Sequence, residues 1–186
     1  MRIAVLALQG AFVEHEQMFH RLGVETMEIR QLRDFLQPFD GLVLPGGEST
    51  VMMRLLNDLL LLEPLRRRIE GGMPVFGTCA GLILLDSAHL GTMDIRAHRN
   101  AYGRQLGSFR VQGKVLHVGD DVPMTFIRAP YIEDAGAGVE ILAEYGGHKV
   151  AARQLNQMVT AFHPELDGDT RIHELFLNHC QAGIME

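Results

Sequence analysis

The chain has 186 residues, 47% of them apolar and 22% charged, with a formal net charge of −6. That balance fits one globular domain, residues 1–186, rather than two domains or a fibrous or disordered chain. The acidic total argues against nucleic-acid binding, which draws on a basic excess, and no apolar run approaches the roughly 20 residues of a membrane helix.

Residues 3–8 form a continuous apolar run, as in a strand covered on both faces. Gln9-Gly10 breaks it. Residues 12–22 read as a helix stopped by Gly23, and residues 24–29 alternate as in a strand nearer an edge. Residues 41–44 read as a short buried strand closed by Pro45-Gly46-Gly47. Residues 49–62 are strongly helical, and a second helix begins at Pro64 and runs to Glu70. Its basic run Arg66-Arg67-Arg68 reads as a solvated face. Residues 74–77 form the next strand, and residues 80–87 return to helix. Strand and helix in this alternation imply a parallel sheet with right-handed crossovers.

The second half is different. Residues 108–116, 124–127, 139–143, 149–154 and 158–162 are short strand-like runs separated by Gly, Pro and Asp, as in an antiparallel extension of the sheet. A closing helix spans residues 170–179. Ile172, Leu175, Phe176 and Cys180 fall on one face of it, so Cys180 reads as structural. Two cysteines are too few for a disulfide framework. The expected setting is the reducing cytoplasm, since the N-terminal apolar run is too short for a signal-peptide core.

Gly77-Thr78-Cys79-Ala80-Gly81 sits between a strand and a helix, the setting of a nucleophile elbow written with Cys. The tight turn forces a strained backbone at its centre, and side chains at Gly77 and Gly81 would clash across it. The following helix directs free N–H groups at the sulfur, which favours the thiolate. The N–H of Ala80 is placed to serve an oxyanion. A buried Cys in a glycine-rich turn is the plainer reading, and the strand–turn–helix context favours the nucleophile.

A thiol nucleophile needs an oriented base. Of nine histidines, His15, His20, His173 and His179 lie on helices without the i, i+4 spacing of a metal site, and no Cys/His cluster marks zinc. His163 follows a strand and precedes Pro164-Glu165. Pro164 disfavours a helical His163, and in an extended segment Glu165 would share its side and hold one imidazole nitrogen. A surface His-Pro-Glu turn is the competing reading of this segment. The order Cys79, then His163 and Glu165, favours a triad.

Pro45-Gly46-Gly47-Glu48-Ser49-Thr50 follows a buried strand and precedes a helix, beyond the carboxyl ends of the strands where ligands bind in open α/β sheets. Ser49 is a candidate N-cap. No Gly-Lys-Ser/Thr follows, which excludes a phosphate loop, and Gly10 opens no dinucleotide fingerprint. A Gly-Gly peptide can reorient cheaply, so the Gly46-Gly47 peptide is a candidate switch between presenting an N–H and presenting a carbonyl.

Cys79 with His163-Pro164-Glu165 resembles the triad of class I glutamine amidotransferases, an α/β, flavodoxin-like architecture. Five blocks narrow the resemblance: Leu6-Ala7-Leu8-Gln9-Gly10-Ala11, the Pro45 to Thr50 loop, Arg99-Asn100-Ala101-Tyr102-Gly103-Arg104-Gln105, Phe126-Ile127-Arg128-Ala129-Pro130, and Phe162-His163-Pro164-Glu165-Leu166. Together they resemble the glutaminase subunits of pyridoxal 5′-phosphate synthase over nearly the whole chain. The resemblance implies Cys79 as nucleophile with His163 and Glu165 as its relay. It implies a glutamine pocket of Gly47, Glu48, Ser49, Arg99, Ile127 and Arg128, with Gly47 as a second oxyanion donor. It implies no metal and no cofactor, and a separate synthase subunit as the protein partner that takes the ammonia. Two positions depart from the pattern: Leu155 stands where glycine is more usual, and Ala97-His98 stand where a branched apolar residue and an acid are expected.

Two other readings remain open on the residues alone. One is a free-standing γ-glutamyl hydrolase, against which the Arg99 and Phe126 blocks speak. The other is a non-enzymatic module with a redox-sensing Cys, against which the intact His163-Pro164-Glu165 speaks.

Overall fold

The computed structural model describes residues 1–100 and 107–184. Strand and helix alternate through the first half: β1 (Arg2–Leu6), α1 (Phe12–Arg21), β2 (Glu25–Ile29), a one-turn α2 (Leu32–Phe35), β3 (Gly41–Leu44), α3 (Ser49–Asp58), α4 (Leu62–Glu70), β4 (Val75–Thr78) and α5 (Ala80–Leu85). The second half contributes β5 (Ile95–His98), β6 (Ser108–Val115), β7 (Gly119–Ile127), β8 (Tyr131–Ala135), β9 (Glu140–Tyr145), β10 (His148–Gln154), β11 (Gln157–Thr160) and the closing α6 (Arg171–Ile184).

The main sheet runs β2-β1-β3-β4-β11-β10-β8-β5, with β9 also paired to β10. From β2 to β11 the neighbours are parallel, and from β10 outward they are antiparallel. β2 is the edge strand that its alternation predicts. Two expectations are corrected. β11 belongs to the parallel half, because the β10–β11 hairpin returns the chain alongside β4, with every β11 residue buried. β6 and β7 form a separate two-stranded sheet and do not extend the main one.

The helical stretch after β3 is interrupted earlier than its apolar periodicity predicts. α3 ends at Asp58, and Leu60 turns with φ of 58°. α4 then begins at Leu62, which places Pro64 in the first helical turn, where its missing N–H removes no helical bond. The basic run on α4 is not a wholly solvated face. Arg66 donates to the Leu90 carbonyl and Arg68 to the Phe35 carbonyl, and the Arg68 guanidinium lies 4.2 Å from the Phe39 ring centroid.

The inner strands carry the core. Phe19 of α1 and Phe176 of α6 meet each other, and Phe176 packs on Phe76 of β4. These side chains are fully buried, as is Cys180, whose thiol burial pushes up to about 12. An inert Cys180 is what its place on the apolar stripe predicts. No helix among the described residues is long and apolar enough to cross a membrane.

Candidate active site

Cys79 is the residue between β4 and α5, at φ 49° and ψ −98°. A non-glycine residue held there stores about 1–3 kcal/mol, and such strain collects at functional sites. Three features hold it. Its N–H donates to the Thr160 carbonyl at 2.8 Å, which ties the elbow to β11. A Cβ on Gly77 would lie 2.7 Å from the Gly81 backbone, and one on Gly81 would lie 2.1 Å from the Leu44 carbonyl oxygen. The elbow therefore closes only with glycine on both sides of it.

His163 comes from the segment after β11, and its N–H donates to the Thr125 carbonyl of β7 at 2.8 Å. Its backbone is non-helical, at φ −105° and ψ 85°, as the following proline requires. Residues Pro164–Leu166 form a 3₁₀ turn, not the extended segment anticipated. The turn still brings Glu165 Oε1 to 2.6 Å from His163 Nδ1, with both side chains buried. Cys79 acts on the same ring, and its interaction with His163 raises the imidazole further. Burial opposes a charge on this ring. The bonds to Cys79 and Glu165 and their negative charges outweigh it and raise His163 to about 10. A charged imidazole beside a cysteine is the arrangement in which a thiol nucleophile is armed.

A cleft of about 180 Å³ opens over Cys79. Gly47, Glu48, Ser49, Ala80, Arg99, Ile127 and Arg128 line it together with Cys79. Every residue that the resemblance assigned to the glutamine pocket is thus in one cleft. His163 and Glu165 lie behind Cys79 and are not part of its lining. Ile83, Asn100 and Pro130 also line the cleft. Ile83 was legible only as a core residue of a buried helix, and Asn100 and Pro130 fell inside the Arg99 and Phe126 blocks without being singled out. Residues 101–105 of the Arg99 block lie outside the described residues.

The glycine loop is held by the segment after β1. The Gly46 carbonyl accepts from Ala11 N–H at 3.0 Å, and Glu48 N–H donates to Gln9 Oε1 at 2.7 Å. Gln9 therefore anchors the loop, a role that its place at a strand end did not reveal. Glu48, not Ser49, is the N-cap residue of α3, and no side chain caps this end. Ser49 is already helical, and it is buried against the cleft. Across the cleft, Arg99 donates to Thr50 Oγ1 at 3.2 Å and lies 3.2 Å from His89 Nε2. Arg128 at φ 43° and Asn100 at φ 53° are two further positive-φ residues in the cleft lining, beside Cys79. Among the described residues no cluster of His, Cys, Asp and Glu could hold a metal ion.

Residues 5–182 match the model of the SNO glutamine amidotransferase family. A pyridoxal 5′-phosphate synthase subunit PdxT from Methanocorpusculum labreanum is 60% identical over 95% of this chain and 96% of its own length. The subunit of the same name from Desulfitobacterium hafniense is 54% identical over 98% of this chain and 95% of its own length. A crystal structure described as a glutamine amidotransferase superposes with a TM-score of 0.90 at 39% identity, covering 96% of this chain and 98% of that one. A glutamine amidotransferase from Thermotoga maritima, at 15% identity and a TM-score of 0.66, covers all of this chain and 86% of its own, and shares the fold. The chain belongs to the SNO glutamine amidotransferase family.

Proposed function

We propose that this chain, as one amidotransferase domain, hydrolyses L-glutamine to L-glutamate and ammonia through Cys79, His163 and Glu165. The ammonia passes to a pyridoxal 5′-phosphate synthase subunit, as the names of its relatives indicate. The observation that carries the reading is the buried His163–Glu165 pair, 2.6 Å apart, together with Cys79 in the lining of a cleft that fits an amino acid. Glu48, Arg99 and Arg128 supply the charges that complement an α-ammonium and an α-carboxylate.

In this reading the Cys79 thiolate attacks the side-chain amide carbon. The tetrahedral oxyanion is received by the backbone N–H groups of Ala80 and Gly47. His163 gives its proton to the departing nitrogen, and ammonia leaves behind a γ-glutamyl thioester. Water then attacks the thioester, His163 takes its proton, and the thiolate departs with glutamate released. Glu165 holds the imidazole tautomer and supports its charge. No step needs a cofactor. Both cysteines are free, which supports a reducing cytoplasm as the setting, since a disulfide at Cys79 would silence it.

Ammonia release from glutamine by three variants tests the assignment. Cys79→Ala abolishes it in a folded protein, Cys180→Ala retains most of it, and Glu165→Gln lowers kcat by roughly tenfold or more because orientation and charge are lost while the base remains. Turnover in Cys79→Ala, or parent-like kcat in Glu165→Gln, removes that residue from the site.

A further inference from the structure

Behind the triad lies a pair of histidines that the reaction above does not use. His15 of α1 and His173 of α6 are both fully buried. Nδ1 of His15 lies 3.0 Å from Nε2 of His173. On its other side, Nε2 of His15 lies 3.1 Å from Thr78 Oγ1 and 3.5 Å from Glu165 Oε2. Thr78 directly precedes Cys79, so this imidazole touches the elbow and the carboxylate at once. Two buried atoms at this spot have no hydrogen-bond partner: Glu165 Oε2 and His173 Nδ1.

Both rings are neutral. Burial holds His15 well below its ordinary value, with the charge on His163 acting the same way, and burial lowers His173 to about 3. A neutral imidazole carries one donor and one acceptor, so the pair has two consistent arrangements. In the first, His15 Nδ1–H donates to His173. The His15 Nε2 lone pair then faces an anionic carboxylate oxygen, and His173 Nδ1–H is a buried donor with no acceptor. In the second, His173 Nε2–H donates to His15, and His15 Nε2–H is directed at Thr78 Oγ1 and Glu165 Oε2. Only a lone pair on His173 is then left over. An unpaired buried donor and a lone pair set against an anion are both costly. The second arrangement avoids both.

Taking the triad as read above, we infer that His15 is a positioning residue for it. Its Nε2–H, fixed in that tautomer by His173, faces the outer oxygen of Glu165 and keeps the carboxylate aimed at His163. Glu165 Oε1 is committed to His163, so without His15 its other oxygen would sit in a dry site with no N–H near it. The carboxylate would then be a poorer counter-charge for the imidazolium, and the armed thiolate state would be harder to reach. Among the described residues the ion-pair partners of Glu165 are His163 from its own segment and His15 from α1, with His173 of α6 next behind.

Two substitutions separate positioning from packing. His15→Gln can keep an amide N–H near the Nε2 position, and His15→Met fills similar space with no donor. The readout is the rate at which iodoacetamide alkylates Cys79 across pH, followed on the Cys79 peptide, together with kcat and KM for glutamine. In His15→Met the pH of half-maximal alkylation moves up by about one unit, as expected for loss of one hydrogen bond to a buried charged group. Its kcat falls by about tenfold while KM changes little, and His15→Gln stays near the parent in both. A parent-like alkylation profile in His15→Met, or equal shifts in Met and Gln, overturns the inference. If His15→Met does not fold, His173→Phe carries the test. It removes the N–H that sets the His15 tautomer without touching Glu165, so an upward shift supports the inference and an unchanged profile overturns it. Alkylation needs no glutamine, so its outcome stands apart from whether glutamine is the substrate.

Discussion

A Cβ placed on Gly46 would lie 2.2 Å from Cε1 of His163. The glycine loop and the His163 ring therefore occupy adjoining space, and their closeness depends on the missing side chain. This is a demand separate from backbone freedom, since Gly46 is not at positive φ.

Gly46→Ala accordingly displaces the His163 ring from Cys79. The Gly46 carbonyl is pinned by Ala11 N–H, so the loop cannot retreat without losing that bond. A displacement near 1 Å lowers turnover by about a hundredfold. Steady-state kinetics with a parallel thermal melt checks this. Parent-like kcat in a folded Gly46→Ala protein would show that the loop yields and the contact is harmless.

Stability depends on pH from both sides of the site. His15 and His173 have depressed values in the folded state, so their contribution is present above the unfolded value of about 6.5 and is lost as pH falls. Each adds a slope of up to about 1.4 kcal/mol per pH unit on that side. His163 runs the other way. Raised to about 10, its contribution is complete below about pH 6.5 and declines as pH rises towards 10. Urea unfolding from pH 4 to 10 is expected to show maximal stability near neutrality. His173→Phe flattens the acid limb by about one proton, and an unchanged limb in that variant would mean that His173 is charged when folded.

Leu155 offers a stability prediction away from the site. It occupies the β10–β11 turn at φ 51° and is 83% exposed. A left-handed leucine is strained by roughly 1–2 kcal/mol, and little apolar contact is lost with its side chain. Leu155→Gly relieves the strain, less the entropy that glycine brings to the unfolded chain. A gain of about 0.5–1 kcal/mol in chemical denaturation, with unchanged kinetics, is expected. A loss of stability would mean that Leu155 packs on something in solution.

The parts of the fold that could be read from the sequence were those whose chemistry is local. The elbow at Cys79 announces itself through two glycines and a strand-to-helix change, and the buried inner strands through unbroken apolar runs. β5 and β8 were missed because Arg96, His98, Glu133 and Asp134 interrupt their apolar pattern at the solvated edge of the sheet. The hairpin β6–β7 reads locally as two strands, and nothing local says that it leaves the main sheet. His15 and His173 are 158 residues apart, so only the packing of α1 against α6 makes them a pair. The available signal was their company. His15 lies on the same face as Met18 and Phe19, and His173 on that of Ile172 and Phe176, and a histidine on an apolar stripe has to find a buried partner.

The most direct measurement is ammonia released from glutamine, by the parent chain and by Cys79→Ala, each alone and with the synthase subunit added. The Gly46-Gly47 loop is the element that a partner could press, and one oxyanion donor gained is worth about a hundredfold. The account predicts slow release by the parent alone, a rise of about that size with the synthase subunit, and none from Cys79→Ala in either condition. Undiminished release from Cys79→Ala, or no release from the parent with its partner present, would contradict it.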